Sequence, residues 1–442
     1  MPLRNCDYEA CARPVERNAG NCTICGSHRC YEHLELPFHS CPPELGGSEE
    51  FFDLLDQAEA KRLDELLQRI NADALRAIAS KLRANVPCTI PQLGKAIAAQ
   101  RGGPNCHADI CFEDGVTWIA RIRLDDPHLA PAQCRDYISQ SEVATYKFLE
   151  STAVPAPRVH HFVLSDKLDD VGVPYIFMDK VPGHVLQWNS ATSFQKTKVM
   201  TQLADIFLEL RQHPFPKCGS LDLKSTKSVG PFAQPQLFKN PTQALGPFGT
   251  THEMAQRILL SYLDMYHTGE LKDYTTDSTL THKWRLDNLD LIYPPEQGDR
   301  FFLKHFEDKG DHILVNDEFD ITGIIDWEWA SIENEHLAFS SPCMMWPVGD
   351  FYRGQNNLTK EEKKFAEILK KKGDGDMHSL VMNGRLYQRI LFFIGGSPGD
   401  HDTLVYLFDG LRKALRAADQ HDEDTESYEE WKQAAIVRYS RE

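Results

Sequence analysis

The first 41 residues contain eight cysteine and histidine side chains whose spacing suits metal binding. They are Cys6, Cys11, Cys22, Cys25, Cys30, His33, His39 and Cys41. Structural zinc is held by four sulfur or nitrogen ligands in a tetrahedron, and the ligands occur as close pairs along the chain. Four pairs therefore predict two zinc ions, whose binding would supply folding free energy to a segment poor in large aliphatic residues. Disulfide bonds between the cysteines are the alternative interpretation. The cytosolic or nuclear location that the sequence predicts is reducing, which argues against them.

A second set of residues, further along the chain, has the composition that phosphoryl transfer from a nucleotide requires. Such a reaction needs backbone N–H groups around the phosphates, a cation on them, ligands for a divalent metal ion and a base for the acceptor hydroxyl. The candidates, in chain order, are Gly102, Gly103, Arg121, Glu142, Glu307, His312 and Asp326. The sequence therefore predicts a site for ATP with Mg²⁺ or Mn²⁺.

The roles of the earlier candidates follow from the elements around them. Gly102 and Gly103 precede a predicted strand, where backbone N–H groups can face phosphates. Arg121 lies in an alternating, strand-like run, at the strand position that kinases use for a phosphate-binding lysine, and Arg123 on the same face is the alternative. Glu142 lies in the next predicted helix, where its carboxylate can pair with that cation.

The later candidates lie beside two short strand-like runs, 313–315 and 321–325. A turn between these strands would bring Glu307, His312 and Asp326 into one cleft. Nineteen positions separate Glu307 from Asp326, which suits a catalytic loop followed by a metal-binding loop. An exposed acidic hairpin without such a role is the alternative.

The elements that must position these residues change in type along the chain. Helical periodicity over 51–82 predicts amphipathic helices that either cap the next domain or form a stalk. Strand-like runs dominate 101–124, whereas most of the chain after Gly183 has a helical pattern. We therefore expect an α+β fold of two lobes behind a small finger. The predicted divisions are a finger over 1–43, a helical linker over 44–84, an N-terminal lobe over 85–180, a mostly helical C-terminal lobe over 181–420 and a solvated acidic tail over 421–442.

The segments around the later candidates resemble the aminoglycoside phosphotransferase family in its divergent fungal form. The resemblance rests on residues 305–316 and on Gly323-Ile324-Ile325-Asp326-Trp327-Glu328, and it extends over about 100–415. It implies a protein-kinase-like fold and the ATP-dependent phosphorylation of a hydroxyl group on a small molecule. By the same resemblance, Asp326 falls on the family's metal-binding aspartate, Glu307 on its catalytic aspartate and His312 on its metal-binding asparagine.

Two of these positions depart from the family in residue type. Glutamate at position 307 keeps the carboxylate but moves it outward by about one methylene group, which disturbs a near-attack geometry. Asp308 is adjacent, but a shift of one residue turns a side chain toward the other side of the loop. His312 offers nitrogen, which suits Mn²⁺ better than Mg²⁺. Two hypotheses follow: a small-molecule kinase, and a kinase-like binding or adaptor protein with impaired catalysis.

The N-terminal cysteines and histidines are similar in order to the A-N-one type of zinc finger, found in ubiquitin- and stress-linked proteins. The second half of the pattern, residues 30–41, matches closely, whereas four residues rather than two separate Cys6 from Cys11. The resemblance implies that the ligand pairs alternate between two ions and that the finger contacts a protein partner. One ion then has Cys6, Cys11, Cys30 and His33, and the other has Cys22, Cys25, His39 and Cys41. His28 is left over as a surface residue.

Composition limits the partners that the chain can have. Its 442 residues are 41% hydrophobic and 26% charged, as in ordinary folded proteins. The formal net charge of −17 repels nucleic-acid phosphates and anionic lipids. We therefore expect a nucleotide and a small-molecule acceptor as partners, with no nucleic acid and no membrane. The sequence has neither a signal-like nor a membrane-spanning apolar run, which predicts a cytoplasmic location with the nucleus as the alternative.

Overall fold

The computed structural model describes residues 2–42, 48–91, 93, 101–295, 300–306, 308–392, 394–419 and 426–440. The helices are α1 (Glu49–Arg69), α2 (Ala72–Leu82), α3 (Ala132–Leu149), α4 (Ser193–Arg211), α5 (Thr251–Thr268), α6 (Thr275–Asp287), α7 (Leu289–Ile292), α8 (Glu335–Ala338), α9 (Val348–Tyr352), α10 (Lys360–Lys371), α11 (Gly375–Met382), α12 (Arg385–Ile390), α13 (His401–Asp419) and α14 (Tyr428–Tyr439). The strands are β1 (Cys88–Thr89), β2 (Arg101–Gly102), β3 (Asn105–Phe112), β4 (Thr117–Arg123), β5 (Val159–Val163), β6 (Tyr175–Asp179), β7 (His184–Val185), β8 (Ser220–Leu221), β9 (Val229–Gly230), β10 (Phe238–Asn240), β11 (Gln243–Ala244), β12 (Phe301–Lys304), β13 (Ile313–Val315), β14 (Ile321–Ile324) and β15 (Ser331–Asn334).

The N-terminal lobe is built on an antiparallel sheet with the strand order β1-β3-β4-β6-β5, in which β2 also pairs with β3. Successive side chains of a strand point to opposite faces of its sheet. On β4, Ala120 and Ile122 are fully buried within one apolar cluster of the sheet. Arg121 and Arg123 therefore lie on the other face, as the sequence predicts.

Helices α1 and α2 cover the first face of this sheet. Leu66, Leu75 and Ala79 share a buried cluster with residues of β3, β4 and β6. Each helix begins at a polar cap, since the side chains of Ser48 and Asn71 accept hydrogen bonds from backbone N–H groups of the first turn. The segment predicted as a helical linker therefore caps the lobe, which is one of the two alternatives that its periodicity allows.

Helix α3 covers the second face and joins the sheet to the rest of the molecule. Its residues Val143, Tyr146 and Phe148 are buried in the main core, which also contains Phe302 and Phe339 of the C-terminal lobe. One continuous core thus extends across both lobes.

The C-terminal lobe is mostly helical and contains four small antiparallel sheets among the described residues. The largest has the order β14-β13-β7, with Ile313 opposite Ile324 and Leu314 opposite Val185. The two strands predicted around 313–325 are therefore confirmed. Together the two lobes have the predicted α+β, protein-kinase-like architecture.

The lobes are connected by Val181-Pro182-Gly183, which lies between β6 and β7. Gly183 has a φ of +113°, and a Cβ atom there would lie 2.6 Å from the carbonyl oxygen of Val315. The close approach of β13 therefore requires glycine at this point of the connection.

The C-terminal segment differs from the predicted solvated tail. Residues 420–425 lie outside the described part of the chain, but Tyr428–Tyr439 forms α14. Tyr428 and Trp431 are buried against Phe408, and the Tyr428 hydroxyl donates to Asp277 at 2.6 Å. The aromatic residues bury enough apolar surface to order a segment whose charge pattern alone suggests solvation.

Among the described helices, none combines the length and the apolar character that crossing a membrane requires.

Candidate functional site

Arg121 is a buried cation whose neighbours define the site. It lies on β4, opposite Ile176 of β6, and its guanidinium forms an ion pair with Glu142 of α3. A second ion pair joins Arg121 to Glu328 at 2.6 Å. Arg121 is 6% exposed and Glu142 only 1% exposed. The contact between Arg121 and Glu142 that the sequence predicts is therefore present and removed from solvent.

Glu328 connects the two lobes. Its carboxylate also pairs with Arg123 at 2.5 Å, so it contacts both arginines of β4. Asn105 of β3 completes the cluster, with its amide nitrogen 3.4 Å from Glu328 and its amide oxygen 3.2 Å from Nε of Arg123. Because Glu328 belongs to the loop after β14, this carboxylate ties the C-terminal lobe to the N-terminal sheet.

Opposite charges control the ionisation of this cluster. Burial disfavours the charged form of Arg121 and by itself would lower its pKa. The negative charges of Glu142 and Glu328 outweigh this effect and raise the pKa of the guanidinium above its ordinary value. Burial likewise opposes the ionisation of Glu328, yet Arg123 and Arg121 hold its pKa below the ordinary glutamate value. Two cations thus face two carboxylates in a site with little access to water.

Asp326 begins the loop that carries Glu328, and its backbone has a left-handed φ of +61°. This conformation costs a non-glycine residue about 1–3 kcal/mol and persists only where the surroundings enforce it. The backbone N–H of Ile325 donates to the carbonyl of His312 at 2.9 Å, and that of Trp327 donates to the Tyr146 hydroxyl at 3.5 Å. The Asp326 side chain is exposed, and it contributes to the raised pKa of the nearby Arg121.

Two stacked histidines support the residue before Asp326. The rings of His305 and His312 lie 4.1 Å apart, and Nε2 of His305 lies 2.9 Å from the carbonyl oxygen of Ile325. His312 is buried, and its Nδ1 has no hydrogen-bond partner among the described residues. Burial first, and then His305 and Lys304, lower the pKa of His312 well below its ordinary value. The imidazole is therefore neutral near pH 7 and retains a nitrogen lone pair.

Gly102 and Gly103 lie at the turn between β2 and β3, where the sequence places a phosphate loop. Gly103 has a φ of +58°, and a Cβ atom there would meet no atom within 4 Å among the described residues other than its chain neighbours. Gly102 is paired with Asn105 across the hairpin, and Asn105 contacts Arg123 and Glu328. The turn and the charge cluster therefore lie at the same end of the strands.

The predicted base, Glu307, lies outside the described residues. The next residue, Asp308, accepts a hydrogen bond from the backbone N–H of Cys343 at 2.9 Å and pairs with Lys304 at 3.3 Å. Asp308 is therefore engaged in holding this loop to the segment after α8.

The eight N-terminal cysteines and histidines form two groups of four, with the partition that the sequence resemblance implies. One group has Cys6, Cys11, Cys30 and His33, the other has Cys22, Cys25, His39 and Cys41, and the four ligand atoms of each lie within 4.8 Å of one another. None of the twelve cysteines, all of which lie in the described part of the chain, forms a disulfide bond. The four ligand pairs thus alternate between the two groups despite the longer loop between Cys6 and Cys11.

The distances within these groups fit tetrahedral zinc, whose ligand atoms lie about 3.3–3.8 Å from one another when they are about 2.0–2.3 Å from the metal. Nδ1 of His33 lies 3.4 Å from the sulfur of Cys6, and Nε2 of His39 lies 3.5 Å from that of Cys25. Nδ1 of His39 lies 3.0 Å from the carbonyl oxygen of Leu34, an outer contact that leaves Nε2 free to bind a metal.

Burial opposes ionisation of Cys25, but hydrogen bonds from Ser27 and His39 lower the pKa of its thiol to about 6. Burial raises the pKa of the Cys22 and Cys41 thiols in the same group. His28 belongs to neither group and is not a simple surface residue, because its Nδ1 lies 2.8 Å from Asn21 and its ring contacts the guanidinium of Arg4.

Residues 112–348, a little over half of the chain, match the phosphotransferase enzyme family (APH). The chain belongs to this family.

Relatives of this phosphotransferase-family chain include two fungal proteins. It is 33% identical over 123 residues to a subtelomeric hrmA-associated cluster protein of Aspergillus fumigatus, a match that covers 27% of this chain and 23% of the relative. It is 26% identical over 217 residues to the clavilactone A biosynthesis cluster protein Y of Ampulloclitocybe clavipes, a match that covers 47% of this chain and 53% of the relative. The chain thus spans about a quarter and about half of the lengths of these curated relatives.

A similar solved structure is a protein assigned as an aminoglycoside phosphotransferase from Ralstonia eutropha. The likeness covers 79% of this chain and 99% of that one, with 15% sequence identity and a TM-score of 0.47. At this TM-score the likeness transfers neither substrate nor activity.

Sequence reasoning misses two residues that hold the site together. Glu328 lies two residues after Asp326, and His305 lies two residues before Glu307. The sequence did contain one signal, the number of charges. Two arginines lie on the same side of β4, and Glu142 is the only carboxylate predicted to pair with them. A second buried carboxylate was therefore needed, but its position in a distant loop could not be deduced from strand or helix periodicity.

We predict that Glu328→Ala destabilises the protein by about 3–5 kcal/mol, because it leaves two buried arginines with one carboxylate. Urea denaturation at pH 7 measures this loss, and Glu318→Ala, at an exposed position, is the control that should change little. The lowered pKa of Glu328 means that its contribution is complete above the ordinary glutamate pKa and disappears as the pH falls through the lowered value. A difference between variant and wild type that grows toward acid pH would contradict this account.

Proposed function

We propose that the protein is an ATP-dependent phosphotransferase acting on a hydroxyl group of a small molecule. One observation carries the proposal: the pair of Arg121 with Glu142 lies directly against the loop that holds Asp326 and Glu328. A cation for phosphates and a carboxylate for a metal ion thus meet at one place between the lobes, as phosphoryl transfer requires. Membership of the phosphotransferase enzyme family supports the same conclusion.

Two side chains are the proposed ligands of a divalent cation. The Asp326 carboxylate is exposed on a left-handed backbone, and the neighbouring His312 is neutral with an Nδ1 that forms no hydrogen bond among the described residues. We infer that these two side chains hold the metal of the nucleotide complex, with Mn²⁺ better suited than Mg²⁺ to the imidazole nitrogen. When bound, the metal would neutralise charge on the phosphates. Gly102 and Gly103 would offer backbone N–H groups to the same phosphates.

Glu307 is the proposed general base. The proton of the acceptor hydroxyl passes to its carboxylate while the hydroxyl oxygen attacks the γ-phosphorus and the bond to the β-phosphate oxygen breaks. The neighbouring Asp308 is unsuited to this role because its oxygens already contact Cys343 and Lys304.

The acceptor would lie in a groove of about 500 Å³ that is lined by Trp346, Phe351, Asp350, Arg353 and Arg385, among others. Trp346 of this groove lies three residues after Cys343, whose backbone N–H donates to Asp308. Its arginines are already paired, Arg353 with Asp350 at 2.9 Å and Arg385 with Glu362 at 2.8 Å. We therefore propose a neutral hydroxylated acceptor with a face that packs on the aromatic rings.

The finger is proposed to bind two zinc ions through the two groups of four ligands. Its surface also exposes apolar side chains, with Tyr31 at 54% and Leu36 at 76% exposed. Such residues on a small module favour contact with a protein partner.

The second candidate function is a kinase-like binding or adaptor protein without turnover. The contact of Glu328 with both Arg121 and Arg123 favours it, because a carboxylate then occupies the cations that phosphates would use. Metal-dependent nucleotide binding separates the two functions.

The first prediction here concerns that binding. We expect ATP with Mn²⁺, and to a smaller extent with Mg²⁺, to raise the melting temperature of the wild-type protein, and Asp326→Ala to lose the metal-dependent part of the rise. Asp317→Ala removes a carboxylate that is 97% exposed in the turn between β13 and β14 and is the matched control. Stabilisation by ATP that is indifferent to metal in the wild type would favour the adaptor.

The second prediction concerns Glu307. Glu307→Gln is expected to lower kcat by about 100- to 10,000-fold, the usual value of general-base catalysis, with little change in ATP affinity. Glu307→Asp should keep or raise the activity because it restores the family's side-chain length. These rates are measured as phosphate transfer to neutral hydroxylated acceptors.

Asp308→Asn is the control for this experiment, since the amide oxygen can still accept from Cys343. It should lower stability more than kcat. A larger loss of kcat in Asp308→Asn than in Glu307→Gln would assign the base to Asp308.

The third prediction concerns zinc. Elemental analysis of metal-replete protein should return about two zinc ions per chain, and Cys30→Ser should reduce this to about one because it breaks one tetrahedral group. Cys88→Ser, a thiol outside both groups, should leave the content unchanged. Protein without zinc, or with disulfides among the six N-terminal cysteines, would refute the assignment.

A further inference from the structure

The N-terminal finger (residues 2–42) docks on the loop that leads into α3. Nη1 of Arg4 donates to the carbonyl oxygen of Pro127 at 2.8 Å, and Nη2 donates to that of Leu129 at 2.7 Å. One guanidinium therefore holds two carbonyls immediately before α3 begins at Ala132.

The finger also contacts the C-terminal lobe. Arg17 forms an ion pair with Glu270 at 2.8 Å, in which the two side chains are only 12% and 11% exposed. The backbone N–H of Arg17 donates to the carbonyl of Glu270 at 2.8 Å, and its guanidinium donates to the carbonyl of Phe238 at 2.9 Å. The finger thus bridges the loop before α3 and the opposite lobe.

An apolar cluster lies behind these polar contacts. Leu3 of the finger packs on a buried cluster that contains Cys134 and Ile138 of α3 and Phe238 of the C-terminal lobe, and Trp329 packs against the same cluster. Trp329 follows Glu328 in the loop of the proposed metal site. Finger, helix and metal-site loop therefore share one small core.

The two halves of α3 are anchored in different cores. Val143 and Tyr146 belong to the main core, whereas Cys134 and Ile138 belong to the small cluster on which the finger packs. Glu142 lies near the junction of these halves, where it pairs with Arg121. The placement of its carboxylate therefore depends on both anchors.

We propose that the finger positions α3, through Arg4 and Leu3, so that Glu142 holds Arg121 in the orientation that binds nucleotide. This inference rests on the proposed function, because it assigns Arg121 to the nucleotide site. Arg4 touches no reacting group and acts only as a positioning residue through α3. The metal state of the finger then sets the nucleotide affinity, since a segment of this kind depends on metal for its folding.

Arg4→Ala in the full chain tests the proposal. The Kd for ATP with Mn²⁺, measured by isothermal titration calorimetry, is expected to rise on the order of 5- to 10-fold, at the lower end of coupling between sites. The KM for ATP should rise similarly while kcat changes little. Amide hydrogen exchange, measured without nucleotide, should accelerate over 130–140.

Arg13→Ala is the matched control. Arg13 is also on the finger, but it forms an exposed pair with Glu32 at 3.2 Å. Neither the Kd nor the exchange over 130–140 should change in this variant. An equal effect of both substitutions would overturn the specific role of Arg4.

The two measurements separate this inference from the proposed function. Unchanged exchange over 130–140 in Arg4→Ala overturns the positioning of α3. Accelerated exchange with unchanged ATP affinity overturns its link to the nucleotide site. Wild-type protein that binds no ATP refutes the proposed function, and the exchange result still decides whether the finger positions α3.

Further variants cover a failure to fold and test the dependence on metal. Leu3→Ala removes only the apolar contact and carries the same expectation if Arg4→Ala does not fold. Arg4→Lys can keep one of the two carbonyl contacts and should give an intermediate Kd.

Removal of zinc from the zinc-loaded wild type with a zinc-selective chelator should accelerate exchange over 130–140, and unchanged exchange would overturn the dependence on the finger's metal state.

Discussion

The need to neutralise Arg121 in a buried position constrains the whole site. A guanidinium cannot be removed from water without opposite charge close by, because its desolvation costs several kcal/mol. Here Glu142 comes from α3 and Glu328 comes from the loop after β14. The orientation of the helix, the register of β4 and the path of the loop must therefore agree with one another. The left-handed backbone at Asp326 is part of the same arrangement, since it lies two residues before Glu328.

The charge balance of this cluster bears on how a nucleotide would bind. Arg121 and Arg123 are already matched by Glu142 and Glu328, so the cluster has no excess positive charge. With nucleotide phosphates bound beside the exposed Asp326, the site would have a net negative charge. A divalent cation is the physical means of restoring the balance. Alternatively Glu328 withdraws from the arginines, which would open the contact between the lobes.

The finger and the phosphotransferase lobes are stabilised by different interactions. The lobes bury a continuous apolar core through α3, whereas residues 2–42 contribute few large apolar side chains to any core. Within the finger lie two groups of four side chains that could hold a metal ion. Its docking is mainly polar, through Arg4 and Arg17, and so it adds specific geometry more than buried apolar area.

The sequence alone was sufficient for features that local spacing encodes. Patterns within short segments, or the family resemblance of those segments, predict the two groups of candidate metal ligands, the α+β order and the β13–β14 hairpin. They also predict the pairing of Arg121 with Glu142. The capping role of α1 and α2 remained one of two alternatives, because periodicity shows that a helix has an apolar face but not what covers it.

The tertiary structure decided the features that depend on residues distant in sequence. Glu328 reaches Arg121 from 207 positions away, and Arg4 reaches the loop before α3 from more than 120 positions away. Helix α14 also depends on residues distant in sequence. Its acidic surroundings predict a solvated tail, but Tyr428 and Trp431 pack on Phe408 and the Tyr428 hydroxyl donates to Asp277. Periodicity reports which side chains can be buried together on one element. The pairing of charges and aromatic rings across the molecule is determined only when the lobes pack, because the energy of each contact depends on the burial that packing creates.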